Sequence, residues 1–464
     1  MAGEGYLDQD WLANTLDPTP LFSGLVYLTF HFFTHTAIFY IYYALLMGIY
    51  IYSLLGITSS LFALRRSPLQ TLLYLALLIT LHSAALRFTL SQSLGTNWGY
   101  VLEDGVADQR LLGPVFQPSS FGVLLVLSIY LFLRQRPYLA VLVAALAATF
   151  HPTYLLSAAS LTLSYMLVTF QEDRRLVKPI LLGLVALLAV SPILYYVYAN
   201  FGSTPAETSA KAQDILVRFR IPHHAVIRQW FDLTVVVKLL LVAAGLYITR
   251  KNRLFLILLV PLCISTGLTL VQLISGSNAL ALLFPWRNTT YLVPLSSALI
   301  LAWIVFSLTD RYATWFVRRQ TAVVVASLAL ISAVVIIGIL RIRLDFSRQP
   351  AADDRPAMAF AAGEAASGQV YLTPIDMQDF RLFTGLPVYV DFKSIPYRDA
   401  DVLEWRRRLR LADRFYDRGS CEIIEYVIAE GVTHAIMSPE APGADCPQLH
   451  QVYKDDNYAV YRLE

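Results

Sequence analysis

The run TAVVVASLALISAVVIIGIL, Thr321 to Leu340, holds no charged side chain in twenty consecutive positions, and Arg318-Arg319 and Arg341 flank it. A helix needs roughly 20 apolar residues to cross the hydrocarbon core of a bilayer. The run therefore reads as a membrane span with its charges held at the interfaces. KPILLGLVALLAVSPILYYVYAN, residues 178–200, repeats the pattern with a single charge at its end. Working outward, ten such segments emerge, at about 34–63, 69–86, 115–134, 138–151, 152–170, 178–200, 234–250, 254–275, 289–308 and 321–341. Composition agrees over the 464 residues: 56% are hydrophobic and 15% charged, against roughly 25% charged in soluble proteins. Mean hydropathy is +0.55. A disordered chain, a nucleic-acid binder and a disulfide scaffold are excluded. The expected fold class is a polytopic α-helical membrane protein of about ten spans.

The run from Tyr138 to Phe170 is too long for one span and short for two, and His151-Pro152 sits in its middle. Proline removes a backbone donor and breaks helices, so a tight hairpin is expected. Five linkers are densely basic: Arg65-Arg66, Arg134/Arg136, Arg174-Arg175/Lys178, Arg250-Lys251/Arg253 and Arg311/Arg318-Arg319. Counting the hairpin as two passes puts all five on one side, the cytoplasmic one. The long loops then share the opposite face: 1–33, 87–114, the His151-Pro152 turn, 201–233, 276–288 and everything after Arg343. Met1–Glu4 has neither a basic start nor an apolar run, so a first span is expected to be missing upstream.

Residues 343–464 read as a separate, extracytoplasmic soluble domain, leaving 1–342 as the membrane domain. Strands are expected at Gln369–Thr373, Pro387–Asp391, Thr433–Ser438 and Tyr458–Leu463, and helices at Asp399–Asp417 and Glu422–Glu430. Alternating strands and helices suggest a small α/β sandwich. Cys421 and Cys446 could pair there if the compartment is oxidising; Cys263 lies in an apolar run and packs.

Polar residues that can do chemistry collect on the outer face. Asp8-Gln9-Asp10 places two carboxylates two residues apart before the first span, suited to chelating a cation or acting as base, or simply to solvating the terminus. Loop 87–120 holds Glu103-Asp104, Asp108 and Arg110, a second acidic group with a bidentate phosphate clamp, or an ordinary polar loop. His151 sits beside Pro152 at membrane depth, where ionisable groups are costly, though it could merely satisfy a freed carbonyl. Segment 201–233 carries Arg220, Pro222-His223-His224, Arg228 and Trp230 and suits a lipid headgroup or interfacial anchoring. Adjacent His223 and His224 would diverge on a helix, with no Cys or Glu at ligand spacing, so they do not read as a zinc site. Arg287 could hold a phosphate or snorkel. Asn288-Thr289-Thr290 matches a glycosylation sequon at the membrane edge. In the tail, Arg381, Asp391 and Lys393 could line a ligand groove, while Arg406–Arg408 read as a solvated helix face.

An outer-loop carboxylate pair before a span, a second acidic outer loop, many spans and a C-terminal outer α/β domain together resemble the GT-C superfamily. Its members are integral-membrane glycosyltransferases that use polyprenyl-phosphate-linked sugars. Three stretches look similar to bacterial membrane proteins grouped near that superfamily: Phe116-Gln-Pro-Ser-Ser-Phe-Gly, Phe150-His-Pro-Thr-Tyr-Leu-Leu, and Asp379-Phe-Arg…Thr384-Gly…Pro387-Val-Tyr-Val-Asp-Phe-Lys-Ser…Pro396-Tyr. The resemblance implies that Asp8 or Asp10 acts as base, that Glu103 and Asp104 form the second acidic site, and that Asp10 and Asp104 are the metal ligands for a divalent cation, Mg2+ or Mn2+. It further implies that Arg110, Arg220, Arg228 and Arg287, with His151 and His223, bind a lipid-linked sugar donor. The acceptor would be a glycan, lipid or protein of the cell envelope, and the setting a bacterial cytoplasmic membrane. The rival reading is a transporter, flippase or assembly factor for envelope glycans or lipids. A transporter should carry ionisable residues at mid-membrane on several spans, whereas only His82, Lys238 and His151 qualify.

Overall fold

A computed structural model describes residues 6–62, 64, 67–202, 204–348, 350–441 and 445–464. Arg65-Arg66 of the first basic linker and Met1–Glu4 lie outside the described residues. The chain is mostly helical and divides into two compact units. One comprises residues 18–199 and 216–341, and the other 1–17, 200–215 and 342–464. The tail is thus joined by two segments that the sequence reading assigned to the membrane domain.

Among the described residues, six helices are long and apolar enough to cross a membrane, all lying wholly or mostly in the first unit: Ile38–Phe62, Pro152–Asp173, Val177–Phe201, Leu254–Ser275, Asn278–Arg311 and Gln320–Arg348. A seventh is counted if the bent pair Pro68–Leu81 and Ala84–Leu94, 48° apart, makes one span. The other three expected segments are helical but short: Pro118–Leu133, Pro137–Phe150 and Leu233–Thr249. Ten full spans are therefore not what the helices present. At 1.5 Å per residue, the 14 residues of Pro137–Phe150 reach about 21 Å, short of the ~30 Å hydrocarbon thickness. The hairpin break is present, with the helix ending at His151. Helices Pro20–Phe32 and Ala206–Asp214 lie in stretches expected to be loops.

Of the three short helices, one is an interior helix. Val123–Leu133 buries eight of its eleven residues and packs against Pro137–Phe150 and Ile38–Phe62. Around it a continuous core includes Leu54, Ile57, Tyr74, Ile129, Tyr165 and Leu295. Tyr165 and Ser128 hydrogen-bond each other inside it at 2.8 Å, which satisfies two hydroxyls that would otherwise be stranded in apolar surroundings. By contrast, only 11% of the most apolar stretch of Val177–Phe201 and of Gln320–Arg348 is covered by protein. Continuous exposed apolar faces of that size are rare on water-soluble proteins, and they suit a lipid environment.

The two ends of this unit differ chemically. At one end Arg253 reaches Glu172 at 3.1 Å, so two of the basic linkers meet. At the other, contacts run between the loops around residues 97–110, 151, 224–232 and 284–289. Four of the stretches expected to share a face, 87–114, the His151-Pro152 turn, 201–233 and 276–288, are brought together.

The second unit holds a four-stranded mixed sheet: β1 (Tyr371–Leu372), β2 (His434–Met437), β3 (Leu449–Lys454) and β4 (Ala459–Leu463), in the order β1-β2-β4-β3. β1 runs parallel to β2, and the other pairs are antiparallel. The expected strand at Pro387–Asp391 reduces to a single bridge between Val388 and Tyr371. Helix Asp399–Arg418 buries Val402, Trp405, Leu409, Ala412 and Phe415, a three-and-four spacing that lays one face on the core. Gly419, in the left-handed conformation, stops it. Cys421 and Cys446 form a disulfide, which ties the start of helix Cys421–Ala429 to the approach to β3.

Candidate functional site

The acidic loop is set by two close approaches. Gly105 lies so near helix Thr289–Arg311 that a Cβ there would sit 2.6 Å from Thr289 Oγ1 and 2.8 Å from the Thr290 nitrogen. Its lack of a side chain lets the Val106 amide donate to Thr289 Oγ1 at 2.7 Å. Lys238, on helix Leu233–Thr249, donates to the Gly105 carbonyl at 2.8 Å. Ala107 and Asp108 then adopt left-handed backbone, with φ of 58° and 51°. That conformation is uncommon for residues other than glycine.

These constraints bury Glu103 and Asp104 side by side. Arg87 donates to Glu103 Oε1 at 2.6 Å. Arg110 Nε lies 3.6 Å from Asp104 Oδ2, while its other end donates to Asp108 Oδ1 at 2.8 Å. Both guanidinium groups stack over the Tyr100 ring, Arg110 at 4.0 Å. Asp104 Oδ2 is buried and accepts no hydrogen bond among the described residues. Burial, and then the Glu103 charge, pushes the Asp104 carboxyl up to about 8; burial also raises Glu103, against the pull of Arg87. Asp104 is thus a carboxylate with high proton affinity, ringed by cations.

Beside this loop, Arg287 reaches His151 Nε2 at 3.3 Å. Its guanidinium lies 5.3 Å from the centre of the Tyr154 ring and 5.8 Å from that of Phe284, with Tyr154 anchored to the Ser119 carbonyl at 2.8 Å. His151 and Arg287 lie 136 positions apart, and only the fold pairs them. Arg220 is half-buried and Arg228 exposed. The sequon residue Asn288 is fully buried and donates to the Pro261 carbonyl and Ser265, so it is no glycan acceptor in this fold.

The histidine pair needs correction. Pro222–Ala225 is a single helical turn, and His223 and His224 lie with ring centres 4.0 Å apart rather than diverging. The Ala107 carbonyl accepts from His224 Nδ1 at 2.7 Å. Asp108 comes alongside, and one donor atom from each of Asp108, His223 and His224 lies within 4.8 Å of the other two. Burial, followed by the His223 charge, pushes His224 down to about 4.

The first-loop carboxylates belong to the other unit and need a second correction. Asp10 is 1% exposed. Its Oδ2 accepts from Arg381 Nε at 2.5 Å and from the Val388 amide at 2.8 Å, and its Oδ1 accepts from the Ala13 amide at 2.8 Å. Arg381 also pairs with Asp391, so it bridges two buried carboxylates rather than lining a groove. A carboxylate so fully occupied is a structural ion pair, not a free base or metal ligand. Asp104 is a poor metal ligand for a different reason: Arg110 and Lys238 already balance it. Asp8 is exposed and, with Asn200, Arg398 and Asp401, lines a surface cleft of about 740 Å³. A larger cleft, about 1290 Å³, runs along helix Asp399–Arg418 and is lined by Lys211, Arg406, Arg410 and Arg414. Arg407 and Arg408 are paired with Glu404, so that face is more than solvated charge.

A family model described as "Domain of unknown function (DUF6798)" matches residues 352–412. The match covers Arg381, Asp391 and the first part of helix Asp399–Arg418. No curated protein matches the chain.

Proposed function

We propose that the chain is an integral-membrane glycosyltransferase that moves a sugar from a polyprenyl-phosphate donor to a cell-envelope glycan, lipid or protein. The observation that carries this reading is Asp104: a buried carboxylate whose Oδ2 accepts no hydrogen bond among the described residues, with Arg110 at 3.6 Å and Arg87 on the adjacent Glu103. Asp104 takes the proton of an acceptor hydroxyl as that oxygen attacks the anomeric carbon. The bond from that carbon to the lipid phosphate breaks, its electron pair leaves with the phosphate, and the configuration inverts. Arg110 and Arg287 stabilise the departing charge. Glu103, held by Arg87, keeps the proton affinity of Asp104 high. The reading places the protein in a bacterial cytoplasmic membrane with the tail outside, and the Cys421–Cys446 disulfide supports an oxidising compartment for that tail.

The test is transfer of labelled sugar from native polyprenyl-phosphate sugars in membranes carrying wild type, Asp104→Asn or Arg110→Ala at equal expression. Transfer lost in Asp104→Asn supports the reading. Equal transfer in all three removes Asp104 and Arg110 from the chemistry.

One observation favours a transporter or flippase. The 48° bend between Pro68–Leu81 and Ala84–Leu94 falls at His82, which is buried and hydrogen-bonded to Tyr50 and Ser297. Broken helices with ionisable groups at the break serve transport sites. On that reading lipid movement across vesicles survives Asp104→Asn and is lost in His82→Ala.

A further inference from the structure

We propose that Asp108, His223 and His224 form a binding site for a divalent transition metal, Zn2+ in the first instance. The inference stands apart from the proposed sugar transfer and depends only on three side chains meeting in one unit. Their donor atoms lie within 4.8 Å of one another. Tetrahedral zinc with bonds of about 2.0–2.1 Å needs donors about 3.3 Å apart, so the set must close by at most about 1.5 Å. Asp108 and His223 are exposed, and rotation of their side chains supplies that movement.

His224 is fixed at one of its two ring nitrogens. Its Nδ1 faces the Ala107 carbonyl at 2.7 Å, an oxygen that can only accept. The proton therefore sits on Nδ1 and the lone pair on Nε2. Metal-bound histidines are fixed in this way by a backbone carbonyl or carboxylate on the far nitrogen. The same loop supplies both that carbonyl and the carboxylate, through the consecutive left-handed residues Ala107 and Asp108. Arg110 takes Asp108 Oδ1 at 2.8 Å, and a carboxylate has a second oxygen to offer. Two imidazoles and one carboxylate favour zinc or its transition-metal neighbours over Mg2+, which prefers oxygen ligands alone. Three protein ligands leave a coordination position for water or a phosphate oxygen.

The test uses the full-length chain in detergent, stripped with a chelator, in a Cys263→Ser background that removes the free thiol. Zn2+ alone is titrated calorimetrically, and bound zinc is counted after gel filtration. One zinc per chain is expected, with Asp108→Asn weakening binding 10- to 100-fold, on the order seen for perturbed metal sites, and His223→Ala/His224→Ala abolishing it. Wild-type affinity in the double variant, or no binding tighter than about 1 µM in wild type, overturns the proposal. Co2+-loaded wild type gives a reading free of any folding defect in the variants. A four- or five-coordinate visible spectrum supports the site, and a hydrated octahedral one refutes it. Sugar transfer measured on the same preparations keeps the two proposals separate, because zinc retained without transfer rejects only the transferase.

Discussion

Replacing Asp10 by asparagine should loosen the tail unit rather than switch off chemistry. In the native network Asp10 Oδ2 serves both Arg381 Nε and the Val388 amide, while Oδ1 serves the Ala13 amide. An asparagine has one oxygen. Turned toward Arg381 and Val388, it points its NH2 at the Ala13 amide, donor against donor. Turned the other way, it strands two donors instead of one. A buried donor left unsatisfied costs about 1–3 kcal/mol, and a hydrogen bond to a charged group contributes about 1.5–3 kcal/mol. Arg381 keeps Asp391 as a partner, which limits the loss, so a net cost of about 3 kcal/mol is expected. At 1.4 kcal/mol per decade this is about a 100-fold rise in opening. Hydrogen exchange of the full chain reads it directly. The reporting amides are Tyr371, bonded to the Pro387 carbonyl, and Tyr389, bonded to the Tyr371 carbonyl, because both flank Val388. Asp8→Asn, at an exposed position, is the control and should leave exchange unchanged. Exchange within about threefold of wild type in Asp10→Asn, on the same scale, would refute the structural role. Sugar transfer lost with that exchange unchanged would return the first-loop carboxylate to the mechanism.

The Asp104 carboxyl sits near 8 in the fold against about 3.9 in an unfolded chain. The folded state therefore binds the extra proton between those values, and stability contributed by Asp104 falls as pH rises from about 4 to about 8. Melting curves across that range should show the slope in wild type and a flatter one in Asp104→Asn; an identical slope would remove Asp104 as its source. If Asp104 is the base, transfer should climb with pH through about 8, since only the ionised form accepts a proton, and a rate independent of pH there would oppose it. Removing the Cys421–Cys446 bond, which spans 25 residues, should cost the tail unit about 3.5 kcal/mol by loop-closure entropy. Urea unfolding followed by proteolysis of the tail would measure that cost, and an unchanged midpoint in Cys421→Ser/Cys446→Ser would contradict it.

Much of the helical layout was legible because its signal is local. A run such as Thr321–Leu340 has to satisfy its backbone within itself and bury apolar side chains, and composition alone says so. What composition does not reveal is whether a helix faces lipid or protein. Val123–Leu133 and Val177–Phe201 look alike as text, yet the first is almost wholly enclosed and the second almost bare. Taking the short helices Pro118–Leu133, Pro137–Phe150 and Leu233–Thr249 as full spans gave ten. Two of the basic linkers do come together, where Arg253 meets Glu172. The strand at Pro387–Asp391 reduces to one bridge with β1, and the Val388 amide, facing away from that bridge, serves Asp10, 378 positions away, a pairing that spacing cannot foresee.

The site was legible in its residues and not in its pairings. Glu103, Asp104 and Arg110 lie within eight positions, so their proximity follows from the chain itself. Arg287 with His151 and Asp10 with Arg381 come together only by folding, and no periodicity links them. The His223-His224 pair shows how a sound local rule can mislead. Successive residues on a long helix point about 100° apart, and from that rule the two rings should diverge. The rule presumes a helix that continues, yet here the helix is one turn long, begins at Pro222 and ends at Ala225. Its rings are oriented by what packs on them, and what packs on His224 is the left-handed turn at Ala107 and Asp108. That turn depends in turn on Gly105 lying against Thr289. A single residue without a side chain on one loop thereby decides whether a histidine pair on another has a third ligand within reach.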